Sequence, residues 1–296
     1  MHRYFLPAVC VSATLLGAAA PAQTIEEAWK AGIADANVAW AKRPHAILKI
    51  QDSAYLHDGD TAVLVGQKGK PGSYHWTNAP DAHGVLTVSY RNKTLQVTKD
   101  GKPIDPKQIQ TSIPIDTDVD VEGQPTQVAA NVMGWRIFVF NQKNPDALNF
   151  KGVSYFPYDP AYRISASFKP DPKRPPHVFR TSRGTDKQFY HVGDATFVLQ
   201  GKTITLPFYA GSNDPKEITD MSAFFTDNLS GGEAYGAGRY VDVADFGSFP
   251  PKTVTIDFND AYNPNCARSK HFTCPIAIDN ISLAMKAGEK NPHVAH

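Results

Sequence analysis

The chain has 296 residues, 30 Lys and Arg against 29 Asp and Glu, and a formal charge of +1. That near-neutral balance gives no electrostatic case for nucleic acid or an anionic membrane as partner. With 23 Pro, 21 Gly, 16 Phe and 12 Tyr but only 3 Cys, the composition points to a turn-rich β protein, neither a helical bundle nor a cysteine scaffold.

Residues 1–22 read as a secretory signal peptide. His2 and Arg3 precede an apolar run through Val9, Val11, Leu15 and Leu16, and Ala20-Pro21-Ala22 gives an A-x-A cleavage site before Gln23. The run is too short for a membrane span, and no later stretch is long enough. The expectation is an exported protein, periplasmic or extracellular, with no membrane span once the leader is removed. Residues 23–296 are read as one β-rich domain.

Thr24 to Trp40 is the one helical segment. Thr24 and Glu27 have capping-box spacing, and Ala28, Trp29, Ile33, Ala36 and Trp40 fall near one face, with the tryptophans read as core anchors. Strand signals follow. Residues 55–65 read as a hairpin around Asp58-Gly59-Asp60, and residues 85–98 as another around Arg91-Asn92-Lys93. Asp116, Asp118 and Asp120 alternate as on one face of a solvated edge strand. Trp135 to Phe140 is apolar on both faces apart from Arg136, the pattern of a buried central strand in which Arg136 needs a partner or an exit. Residues 169–176 form a Pro-rich connector, and 195–206 another hairpin. Strands at such short, regular spacing predict a mainly β, antiparallel barrel or sandwich.

The polar residues concentrate late. Arg239 to Val243 alternates like a strand, with Arg and Val on one side and Tyr and Asp on the other. Asp257 to Lys290 holds Asp257, Asn259, Tyr262 and Asn263 beside Cys266 and Cys274. Two cysteines left in an exported chain most simply form a disulfide, which would add roughly 2–3 kcal/mol in the chain-entropy model and staple the C-terminal segment. The alternative is metal held with His271, at a spacing that matches no strong zinc pattern. The run from Asp257 begins like a calcium loop, yet Tyr262 and Arg268 stand where an EF-hand needs Gly and Glu. Arg239 on an apolar strand must pair, with Asp227 or Asp257 as the candidates, or bind an anion. Tyr235, Tyr240 and Tyr262 either line a pocket or fill the core.

Two strings resemble the bacterial family catalogued as domain of unknown function 1684. One is Phe225-Thr226-Asp227, Ser230-Gly231 and Tyr235-Gly236-x-Gly238-Arg239-Tyr240. The other is Asp257-Phe258-Asn259-x-Ala261-Tyr262-Asn263-Pro264-x-Cys266 with Cys274-Pro275, Asn280 and Gly288-Glu289-Lys290. Residues 150–168 are loosely similar, so the family-like half runs over about residues 130–290. The chain departs from the pattern at Leu229 and Ala234, where relatives carry Thr, and at Ile276-Ala277-Ile278-Asp279, where they carry prolines. The resemblance implies candidate positions and no reaction.

The candidate ligand-binding set is therefore Asp227, Arg239, Tyr240, Asp257, Asn259, Tyr262 and Asn263, with no metal ligands and no cofactor expected. The leading expectation is a protein that binds a small polar or cell-envelope ligand in a β-barrel pocket. The alternatives are a hydrolase using the Asp227 and Asp257 carboxylates with Arg239, and a structural or interaction protein with no small-molecule site. No H-E-x-x-H, G-x-S-x-G or dinucleotide fingerprint is present.

Overall fold

A computed structural model describes residues 23–79 and 83–293. The leader expected over residues 1–22 lies outside the described residues. No helix among them is long and apolar enough to cross a membrane.

Helix α1 (Ile25–Ala41) begins at Thr24, whose side chain accepts from the Glu27 amide while the Glu27 carboxylate accepts from the Thr24 amide, so the capping box is closed. The helix lies on the surface with no fully buried residue. The tryptophans read as core anchors are half-buried. Trp29 packs edge-on to Tyr155 and donates its indole N–H to the Asn259 carbonyl at 2.9 Å, and Trp40 lies under the Arg268 guanidinium. Amphipathic indoles do this at a wet boundary, where the ring packs and the N–H is met.

Nine strands follow: β1 (Ile50–Leu56), β2 (Thr61–Val65), β3 (His75–Thr77), β4 (Leu86–Arg91), β5 (Thr94–Lys99), β6 (Lys102–Ile104), β7 (Ile113–Asp116), β8 (Val119–Ala129) and β9 (Val132–Asn141). They make two antiparallel sheets, ordered β1-β9-β8-β7 and β3-β2-β4-β5-β6. The β4–β5 hairpin turns on Asn92 and Lys93, both at positive φ, as a two-residue turn of the primed type requires. The hairpin expected over 55–65 is a corner instead. β1 pairs with β9 while β2 pairs with β3 and β4, so the chain changes sheets at Asp58-Gly59-Asp60. The corner is held from outside, because the Gly59 amide donates to the Tyr90 carbonyl and the Tyr90 amide to the Asp60 carbonyl.

The acidic alternation of Asp116, Asp118 and Asp120 is likewise not one strand face. Asp118 sits in the β7–β8 turn at φ 67°, which sends Asp116 and Asp120 to different strands. Asp116 accepts from the Gly69 amide and the Tyr74 hydroxyl, and Asp120 from Ser112.

A short helix α2 (Pro145–Leu148) leads into eight further strands: β10 (Arg163–Pro170), β11 (Pro176–Phe179), β12 (Lys187–Leu199), β13 (Lys202–Ala210), β14 (Asp220–Asp227), β15 (Arg239–Ala244), β16 (Thr253–Asp257) and β17 (Asp279–Ile281). Their sheet runs β15-β14-β13-β12-β10-β16, with β11 on β12 and β17 parallel to β14, and it is nearly closed like a barrel. The Pro-rich connector 169–176 joins β10 to β11 within this one sheet.

Strand alternation sorts the apolar residues into three clusters. On β9, Ile137 and Val139 enter the core of the N-terminal sheets, while Phe138 and Phe140 face the other way. On β15, Val241 and Val243 enter the core of the C-terminal sheet, while Tyr240 faces outward from it. The outward residues meet: Phe138, Phe140, Phe179, Tyr209, Phe224, Tyr240 and Phe272 form a bridging aromatic cluster. Continuously apolar strands are apolar because both faces are used. Arg136 resolves within this layer. Its guanidinium is sandwiched between the rings of Phe138 and Phe272, at 4.6 and 4.5 Å, and donates to the Tyr55 hydroxyl at 3.4 Å.

Candidate functional site

Arg239 opens β15 opposite Phe225 and is 1% exposed. Its Nη2 donates to the Asp227 carboxylate and, at 3.1 Å, to the Met285 carbonyl, while Nη1 donates to the Ala287 carbonyl. Burial works to lower the guanidinium's pKa, and Asp227 opposes it. Asp227 closes its own turn as well, accepting from the Leu229 amide at 2.6 Å. The Asp227 side chain has no exposed surface. Of the two partners predicted for Arg239, the structure selects Asp227.

Asp257 belongs to a second group. It lies directly opposite Arg163 on β10 and accepts from that guanidinium at 2.8 Å. Its other oxygen accepts from the amide and the side-chain Nδ2 of Asn259, at 3.0 and 2.9 Å. Asn259 in turn bonds Asp159, donating to its carbonyl at 2.9 Å and accepting from its amide at 3.1 Å. With Trp29 on its own carbonyl, Asn259 ties α1, the Asp159 turn and the end of β16 together.

The remaining predicted residues are joined to the chain beside them. Tyr240 and Tyr262 bond each other's backbone, and their rings meet edge-on. The Tyr240 hydroxyl donates to the Pro275 carbonyl, and burial raises its pKa well above the usual phenol value. The Tyr262 hydroxyl donates to Asp242 at 2.9 Å. Asn263 donates its amide to Glu289 at 2.6 Å and its Nδ2 to the Lys290 carbonyl at 2.7 Å. Glu289, 2% exposed, pairs with Arg268. Its pKa is raised by burial and pulled back by Arg268. Arg268 and Glu289 were absent from the predicted set. The signal available was Glu289 itself, the acid in the Gly-Glu-Lys string that belonged to the quoted family pattern.

These residues bond each other and the backbone. The cluster welds the irregular segment after β16 onto β15 and α1.

The predicted disulfide is not present. Cys266 and Cys274 are free, with the pair 3.6 Å apart, beyond the ~2.05 Å of an S–S bond. The Cys266 amide donates to the Cys274 sulfur at 3.4 Å, so the two are held by hydrogen bonds. The segment is fixed instead by the Glu289, Tyr240 and Asn263 contacts. The His271 Nδ1 lies 3.2 Å from the Ser53 hydroxyl.

An open cleft lies elsewhere, at the β1–β2 corner. A cleft of about 250 Å³ runs between β1, β2 and β3, with Asp52, Tyr55, Asp60, Thr61, Trp76 and Asn78 among its lining residues. Asp52 is committed to the Trp76 amide at 2.6 Å, and Asp60 to the His57 amide at 2.7 Å. The Trp76 indole Nε1 is buried and has no hydrogen-bond partner. The sequence showed no sign of this cleft, because it arises only when the corner sends β1 and β2 to different sheets.

Residues 148–290 match the model of a family described as protein of unknown function (DUF1684). An uncharacterized protein of Haloarcula marismortui, solved in solution by NMR, is 29% identical over 49% of this chain and 80% of its own, with a TM-score of 0.41. No curated protein matches. The matched residues contain the buried polar cluster and the cysteines, and the cleft lies outside them.

Proposed function

We propose that this chain is an exported binding protein of the cell envelope that takes a small, hydroxyl-rich ligand in the cleft at the β1–β2 corner. The observation that carries the reading is the cleft's lining of carboxylates, hydroxyls and an amide around Trp76, whose buried Nε1–H has no partner. A buried donor left unmet costs about 1–3 kcal/mol, which a ligand oxygen recovers when a small shift of the indole brings the N–H to the cleft. The indole and phenol faces of Trp76 and Tyr55 suit the apolar face of a sugar ring, and Asp60, Thr61 and Asn78 suit its hydroxyls. The volume, below the roughly 300 Å³ floor for drug-sized ligands, limits the ligand to about one ring. Export rests on the leader at residues 1–22.

A structural or interaction role has its own support in the buried bonding of Arg239 with Asp227 and the Met285 and Ala287 carbonyls. A hydrolase using Asp227 and Asp257 has less. A general acid or base must be within reach of its substrate, and Asp227 is enclosed with Arg239.

The test is a thermal-shift screen of the purified protein against monosaccharides, amino acids and polyols, with Trp76→Phe alongside. The reading expects a monosaccharide to raise the melting temperature of the wild type and to lose most of that effect in Trp76→Phe. No shift from any compound, or an undiminished shift in the variant, would overturn it.

A further inference from the structure

We propose that Cys266 and Cys274 form a redox-active dithiol that exchanges with low-molecular-weight disulfides, with Cys266 attacking and Cys274 resolving. The pair sits where the family-matched residues meet the bridging aromatic cluster, with Cys274 inside that cluster and Cys266 packed against it. Four observations carry the assignment. The pair is 3.6 Å apart with no bond, so a movement of about 1.5 Å closes the bond. Cys266 is half-buried and reachable, whereas Cys274 is 3% exposed. The Cys274 thiol and the Ser182 and Tyr235 hydroxyls act together to lower the Cys266 thiol's pKa. The Lys187 ammonium adds positive charge beside Cys274.

A thiol whose pKa is drawn down is more often the thiolate, the form that attacks. The hydrogen bond from Cys274 is the largest cause drawing the Cys266 thiol down to about 6. Sharing with Cys266 and burial push the Cys274 thiol up, so it keeps its proton until its turn. A structural staple needs neither the asymmetry in exposure nor the lowered pKa of one thiol.

The reaction balances within these groups and a disulfide RSSR. The Cys266 thiolate attacks one sulfur of RSSR, its S–S bond breaks, and RS⁻ leaves and takes up a proton. Cys266 now carries SR. Cys274 loses its proton to solvent as its sulfur attacks that of Cys266, and the second RS⁻ leaves to become RSH. Two protein thiols are oxidised and one disulfide is reduced to two thiols.

The experiment equilibrates the purified protein in glutathione buffers of graded disulfide content. It quenches with an alkylating agent and maps the labelled cysteines by peptide mass. The proposal expects both thiols labelled in reduced buffer, neither in oxidised buffer, and a reversible midpoint between. Cys274→Ser should trap glutathione on Cys266, and Cys266→Ser should trap none. In the unmutated native protein, Cys266 should alkylate at least tenfold faster than Cys274, with a pH midpoint near 6. A disulfide that persists through the most reducing buffer would overturn the proposal, as would thiols that react only after unfolding or equal alkylation rates for the two cysteines.

Discussion

A guanidinium at 1% exposure is tolerated only when its donors are met, and Arg239 meets a carboxylate and backbone carbonyls. Removing it leaves Asp227 charged and enclosed. Arg239→Met is therefore expected to lower the unfolding free energy by about 3–5 kcal/mol, measured by urea titration. A loss within the ~1 kcal/mol of an exposed pair would show that the cluster does not lock the fold. Need for a partner was legible in the sequence, since a charge on an apolar strand must be paired. The partner's identity was half legible, as Asp227 or Asp257. The carbonyls of Met285 and Ala287 were not, because they come from an irregular segment far along the chain with no periodic pattern. Arg163 was missed as the partner of Asp257, because their pairing depends on the β10–β16 register, and register between strands this distant is not written locally.

At the scale of elements, His45 joins the segment after α1 to β8. Its Nε2 meets Asp120 at 2.5 Å and its Nδ1 meets Glu122 at 2.7 Å. The Asp120 bond first, then that of Glu122, raises its pKa from 6.5 to about 9. A histidine whose folded pKa is raised stabilises fully below its unfolded pKa and loses that contribution as pH climbs through the folded one. The wild type should therefore lose stability between pH 6.5 and about 9 relative to His45→Gln. The difference should be about 1 kcal/mol after solvent screening of a site 31% exposed. Parallel stability curves for the two proteins would refute the linkage. Elements were well marked at the β4–β5 and β12–β13 turns, where Asn92, Gln200 and Gly201 adopt positive φ. They were misjudged at Gly59, where the same turn chemistry serves a corner between sheets. The difference is made by the Tyr90 backbone, which is remote in sequence.

For the whole molecule, the antiparallel, mainly β architecture was legible from strand spacing. The division of apolar residues among three clusters was not. A residue such as Phe138 reads as buried from its neighbours alone, but which core it joins depends on the packing of two sheet systems. The same holds for function. The dense polar stretch from Asp257 drew attention as a site, and its side chains bond one another and the backbone, while the cleft lies outside it. Hydrogen–deuterium exchange, with and without the best monosaccharide from the thermal screen, tests this division most directly. The account predicts ligand-dependent protection confined to residues 52–62 and 75–78, with residues 257–290 unchanged. Protection centred on residues 257–290 would contradict it.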